Sequence, residues 1–176
     1  GLNRLFVLKG LEVMNRKHNY GLNALIDKSS IKSKVSSYDL GFKLGPRINA
    51  AGRLGNSSYG TDLLTASDDL MAKELASKLD HFNQERKTIE SYVLEKADQQ
   101  VTDDKLNKNI IIVSGKDWHE GVIGIIASRL KDKYSKPCIV ISINGNQAKG
   151  SGRSIKGIDL GSLIICLLYT SPSPRD

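Results

Sequence analysis

Residues 109–143 read NIIIVSGKDWHEGVIGIIASRLKDKYSKPCIVISI, and the fold turns on this stretch. The apolar run 109–114 predicts a buried strand, and Gly115–Glu120 a loop. Residues 121–134 place Val122, Ile125, Ile126 and Leu130 on one side of a helix. Pro137–Ile143 predicts a second buried strand. A strand, a helix and a strand in that order imply a parallel pair joined by a crossover helix. Asn144-Gly145-Asn146 is a hairpin signal leading to a third strand near Ala148–Ser151. The expected class is α/β with a mostly parallel sheet.

Upstream, the chain is helical in pattern. Leu5, Val7, Leu8, Leu11 and Met14 lie close to helical spacing over 3–17, and Leu22, Leu25 and Ile26 start a second short helix. Residues 29–37 are a Lys/Ser connection. Residues 45–53, GPRINAAGR, belong to a fifteen-residue segment from Asp39 to Arg53 with four Gly/Pro, which speaks against a helix interior. From Ser67, a plausible N-cap, one long helix runs to about residue 101. Its stripe of Leu75, Leu79, Phe82, Ile89 and Val93 is broken by one seven-residue gap that holds Arg86. A rod of that length suits a strut between two lobes.

Charge is unevenly spread. Residues 1–60 and 105–156 each hold ten Lys/Arg against three Asp/Glu, whereas 61–104 hold five against eleven. Two basic segments attract polyanions, although Lys-rich faces also simply solubilise a protein. No apolar run reaches the roughly 20 residues that cross a bilayer, and no signal peptide opens the chain. Cys138 and Cys166 read as reduced core residues of a cytosolic protein. The chain opens on Gly1 rather than Met, which reads as a piece of a longer product, and 167–176 read as a non-native tail.

Three segments carry possible chemistry. In 45–53, Arg47 and Arg53 offer forks for phosphate beside Asn49 and bare glycine backbone, or else the arginines cap carbonyls of a tight turn. Trp118 and His119 stand at the carboxyl end of a strand where a helix opens, a common ligand position in α/β folds. There Trp118 stacks on a base and His119 meets a phosphate, or Trp118 packs in the core and His119 bonds a carbonyl. In 149–154 (KGSGRS), Lys149, Ser151, Arg153 and Ser154 form a pocket for a terminal phosphate, or the glycines mark a flexible turn. His18 and His81 are isolated. No DHH, DxD or His/Asp cluster of metal-ligand spacing occurs. The spread carboxylates read as surface charge, with partners such as Asp69–Lys73.

Taken in order, GPRINAAGR, the long helix with NQER at 83–86, WHEGVIGIIASRL at 118–130 and KGSGRSI at 149–155 resemble the RecJ family of single-stranded-DNA-specific exonucleases, in the DHH phosphoesterase superfamily. The resemblance runs from Gly1 to about Ile165. It implies the helical end of a DHH-side region over 1–60, a connecting helix over 61–104, and a partial DHHA1 nucleic-acid-binding domain over 105–166. It further implies a cytoplasmic 5′-to-3′ exonuclease of DNA repair and recombination that acts on single-stranded DNA with Mn²⁺ or Mg²⁺. The ligands for that metal, in the DHH motifs, are not in this chain, and the glycine-glycine-histidine motif expected after Asp159–Leu160–Gly161 is missing too, so the fragment alone should not hydrolyse DNA.

By the same resemblance, Arg153 and Ser151 match a 5′-phosphate pocket. Arg47 matches a backbone-phosphate contact that Arg53 assists, and His119 lies near the scissile phosphate as the candidate catalytic residue. Two other readings stay open. One is a smaller DHH-family phosphodiesterase for short oligonucleotides or cyclic dinucleotides, from which the long strut separates it. The other is a non-catalytic nucleic-acid-binding module.

Overall fold

The computed structural model describes residues 1–170 and divides into two compact units, Gly1–Lys87 and Thr88–Asp176. The tail beyond Thr170 lies outside the described residues.

The first unit is helical. Helices α1 (Leu2–Met14), α2 (Tyr20–Lys28) and α3 (Ser37–Asp39) lead into a π-helical turn, Leu40–Leu44. Helix α4 (Gly45–Arg53), helix α5 (Tyr59–Leu64) and the start of α6 (Asp69–Gln99) complete it. Leu25, Leu44, Leu63 and Leu79 are wholly buried at its centre. Polar side chains set the helix starts. Asn19 Oδ1 accepts from Leu22 N–H at 2.8 Å. Ser36 and Asp39 form a reciprocal capping box. Asp68, rather than Ser67, caps α6, accepting from Met71 N–H at 2.8 Å. Of the apolar stripe on α1, only Leu11 and Met14 reach the core, and Leu5, Val7 and Leu8 stay exposed.

Residues 45–53 correct the expectation of a non-helical loop, because they form α4. Pro46 falls in the first turn, where a helix has no use for its missing N–H, and Gly45 and Gly52 sit near the ends. The small residues serve packing. Ala50 and Ala51 are fully buried, and a Cβ on Gly60 of α5 would lie 3.2 Å from Ile48.

The second unit takes the last turns of α6, then α7 (Asp103–Leu106), β1 (Ile111–Lys116), α8 (Glu120–Tyr134), β2 (Cys138–Asn144), β3 (Gln147–Arg153) and α9 (Leu160–Thr170). The sheet order is β1-β2-β3. Strands β1 and β2 are parallel, Ile111 opposite Cys138, as the crossover requires. Strands β2 and β3 are antiparallel, Cys138 opposite Arg153, so the sheet is mixed rather than mostly parallel. The cause is the two-residue turn at Gly145, whose φ of 58° suits glycine.

Helix α8 lays Val122, Ile123, Ile126, Ala127 and Leu130 against Ile111, Val113, Cys138 and Val140. Strand β1 is therefore buried on one face only, and Ile112 on the other face is 46% exposed. Its edge carries side-chain bonds. The Gln100 amide donates to Ser114 O at 2.7 Å and accepts from Ser114 N–H at 3.2 Å, and Lys105 donates to Ile112 O at 3.0 Å. On α8, Lys133 and Tyr134 bond Asp98 of α6, and the Lys133 ammonium is the larger cause holding the Asp98 carboxyl below its ordinary range. Cys138 is buried as expected, but Cys166 is exposed on α9, which corrects its reading as a core residue.

Candidate functional site

The gathering of polar groups in the second unit follows from two periodicities. Alternate residues of a strand share a face, so Lys149, Ser151 and Arg153 of β3 point one way, while Gly150 and Gly152 turn toward Ile141 and Leu160. Residues four apart share a face of a helix, which aligns Glu120 and Gly124 on α8. These faces meet. Lys149 Nζ pairs with Glu120 Oε2 at 2.6 Å. One turn on, a Cβ on Gly124 would lie 3.0 Å from Arg153 Nη2 and 3.1 Å from Ser151 Oγ. Arg153 Nη1 donates to Ser151 Oγ at 3.2 Å and to Gly152 O at 2.7 Å, which holds the guanidinium over the glycine.

His119 is the N-cap of α8. Its Nδ1 accepts from Gly121 N–H at 3.1 Å, as a capping side chain does. The positive end of the α8 dipole stands at this turn. A hydroxyl and a guanidinium of β3 thus lie over the first turns of α8, beside an ammonium whose charge Glu120 matches.

The remaining predicted residues are placed differently. Trp118 is 5% exposed, and its ring fills the space beside Gly115, where a Cβ would meet Trp118 Cε2 at 2.0 Å. Its carbonyl accepts from the buried Ser142 hydroxyl. The core reading of Trp118 describes this geometry, and no ring face is offered for stacking. Ser154 Oγ accepts from Leu160 N–H at 3.1 Å, so its hydroxyl oxygen serves the start of α9. Segment 149–153 is strand rather than flexible turn.

Arg47, Asn49 and Arg53 lie on α4 in the first unit. Arg47 Nε pairs with Asp80 Oδ1 at 2.8 Å, and Nη1 donates to Lys43 O at 2.8 Å. Two of its donors therefore serve the fold, one on a carboxylate and one on a backbone carbonyl. Asn49 and Arg53 are exposed.

On α6 the NQER motif proves to open a buried polar series that the sequence reading did not extend to Glu90. Asn83, Arg86 and Glu90 are nine-tenths or more buried. In the first unit Arg86 Nη2 donates to Asn83 Oδ1 at 3.2 Å, and in the second Glu90 pairs with Arg129 of α8. The available signal was the seven-residue gap in the apolar stripe, which Asn83 and Arg86 occupy, with Glu90 just past its end. Among the described residues no three His, Cys, Asp or Glu side chains are grouped as a metal site. Among the described residues no helix is long and apolar enough to cross a membrane.

The DHHA1 domain family matches residues 107–168. The chain is 37% identical over 161 residues to the single-stranded-DNA-specific exonuclease RecJ of Bacillus subtilis, covering 90% of this chain and 20% of that protein. To the Haemophilus influenzae RecJ it is 40% identical over 171 residues, covering 92% and 29%. The crystal structure of Thermus thermophilus RecJ in complex with Mg²⁺ superposes with a TM-score of 0.86 at 28% identity, covering 96% of this chain and 26% of that one. The chain thus spans about a fifth to three tenths of these curated relatives. In sequence and in fold, the chain is similar to a segment of the RecJ single-stranded-DNA-specific exonucleases, and residues 107–168 within it match the DHHA1 domain.

Proposed function

We propose that this chain is the strand-holding part of a 5′-to-3′ single-stranded-DNA exonuclease, and that Arg153 and Ser151 receive the strand's 5′ phosphate. The observation carrying this reading is the convergence of Ser151 and Arg153 over the bare Gly124 backbone, one turn from the His119 cap. A terminal phosphate dianion there meets a guanidinium, a hydroxyl and a helix start, while an unphosphorylated end forgoes those bonds. His119 lies near the adjoining phosphodiester. Arg47 and Arg53 of α4 contact backbone phosphates, and Asn49 and Lys149 assist by hydrogen bond and charge.

In this reading, 1–60 end a DHH-side region, 61–104 connect, and 105–166 begin the DHHA1 domain. The parent works in the cytoplasm on strands exposed during repair and recombination. The ligands for the metal that hydrolysis requires, Mn²⁺ or Mg²⁺, belong in this reading to the DHH motifs of the parent, so this chain binds the strand and the parent cuts it.

The test is fluorescence anisotropy of the 176-residue chain with a labelled oligothymidylate bearing either a 5′ phosphate or a 5′ hydroxyl. The phosphorylated strand binds more tightly, and Arg153→Ala removes about ten- to a hundredfold of that difference, the worth of charge-assisted hydrogen bonds. Equal affinity for both strands in the unaltered chain refutes the pocket.

A further inference from the structure

Outside the phosphate site, an aromatic pair in the first unit stands exposed, apart from that unit's apolar core. Tyr38 of α3 and Phe42 of the π-helical turn stack with ring centroids 4.8 Å apart and planes 29° from parallel. They are 62% and 70% exposed, although burial of such rings ordinarily stabilises a core. The backbone beneath them is firmly held. Asp39, between the two in sequence, is buried, accepts from Ser36 N–H and Oγ–H at 3.1 and 2.6 Å, and pairs with Lys43 at 2.7 Å. Leu44, two residues on, is fully buried. The five-residue π turn itself is a backbone irregularity of a kind that recurs at functional sites.

The surroundings indicate what the rings receive. Residues 28–53 hold six Lys/Arg and one acid, Asp39. Lys43 pairs with Asp39 and Arg47 with Asp80, so excess positive charge lies on Lys28, Lys32 and Lys34. Lys32 and Lys34 are exposed just before Tyr38. Open aromatic faces amid cations are the combination that binds single-stranded nucleic acid without sequence preference: the cations track phosphates and the rings take bases. An apolar protein partner needs no such excess of positive charge.

We propose that Tyr38 and Phe42 form a stacking platform for a base of the single strand, a contact additional to the phosphate-binding residues. This rests on the strand-holding function proposed above. The platform contributes affinity through base faces, so it acts on any sequence.

The test compares two labelled 5′-phosphorylated probes of equal length and charge, an oligothymidylate and an oligomer of abasic spacers, binding to the full chain. Tyr38→Ala combined with Phe42→Ala weakens thymidylate binding about tenfold, the worth of one stacked base, and leaves the abasic probe unchanged. An equal loss on both probes, or no loss, overturns the platform and assigns the rings to a protein contact. Phe42→Trp keeps the affinity, and the added indole fluorescence is quenched by thymidylate but not by the abasic probe. That arm decides the question if the double variant does not fold, and an unquenched indole overturns the platform. Failure of the unaltered chain to bind either probe overturns the strand-holding reading as well, whereas binding that ignores the substitutions overturns the platform alone.

Discussion

Gly124 of α8 and Arg153 of β3 are close enough that a single added carbon would crowd them, the new Cβ lying 3.0 Å from Nη2. The glycine therefore keeps space in which the guanidinium rests. Gly124→Ala should favour the helix by up to about 1 kcal/mol through propensity. It should also push the guanidinium and the Ser151 hydroxyl aside. The expected outcome is an unchanged or raised unfolding midpoint, with preference for a 5′-phosphorylated strand reduced on the order of fivefold, a fraction of a charge-assisted bond. Denaturant titration and anisotropy on the same variant check both halves.

Trp118 is the single tryptophan, so its emission reports one place. Because the ring is buried beside Gly115, acrylamide should quench it weakly and added oligothymidylate should leave its emission unchanged. Strong quenching by the strand would restore the base-stacking role. Gly115→Ala places a carbon 2.0 Å from the ring and should destabilise the chain by roughly 1–3 kcal/mol, as overpacking does.

The Asp39 carboxyl is drawn down from 3.8 to about 2, first by the hydrogen bond from Lys43 and then by those from Ser36. A carboxyl lower in the folded than in the unfolded chain adds stability above its unfolded value and loses it as pH falls through the folded one. Asp39→Asn should therefore be less stable than the unaltered chain above pH about 4. The difference should close as pH approaches about 2. Unfolding midpoints across this range, measured for both proteins, would show a constant gap if Asp39 were not involved.

The thiols should separate by environment. Burial pushes Cys138 up to about 11, and Cys166 is exposed. At pH 8 an aromatic disulfide reagent should titrate one thiol rapidly and the second only after denaturation. Two fast thiols would mean that the β1-β2 core opens readily.

Much of this fold was legible because it depends on local order. The run 109–114, the stripe 122–130 and the run 137–143 place a parallel pair under a helix, since a crossover is needed to return the chain in the same direction. The turn at Gly145 announces β3, but strand direction within the finished sheet also depends on that turn, and it made the sheet mixed. In 45–53 the glycines and proline were weighed as breakers without regard to position. At helix ends they cost little, and the alanines between them pack.

By itself the sequence determined the long helix, the strand–helix–strand unit and the basic charge of two segments, because composition and periodicity are local properties. It also marked side chains of the kind that hold phosphate. Tertiary structure alone decided which of those side chains are available. Trp118 was drawn into the core by the apolar area of its ring, and two donors of Arg47 were taken by Asp80 and Lys43 O. Ser151 and Arg153 were instead brought against a glycine 27 and 29 residues earlier in the chain. That meeting follows from the packing of α8 on the sheet, a distance no local pattern encodes.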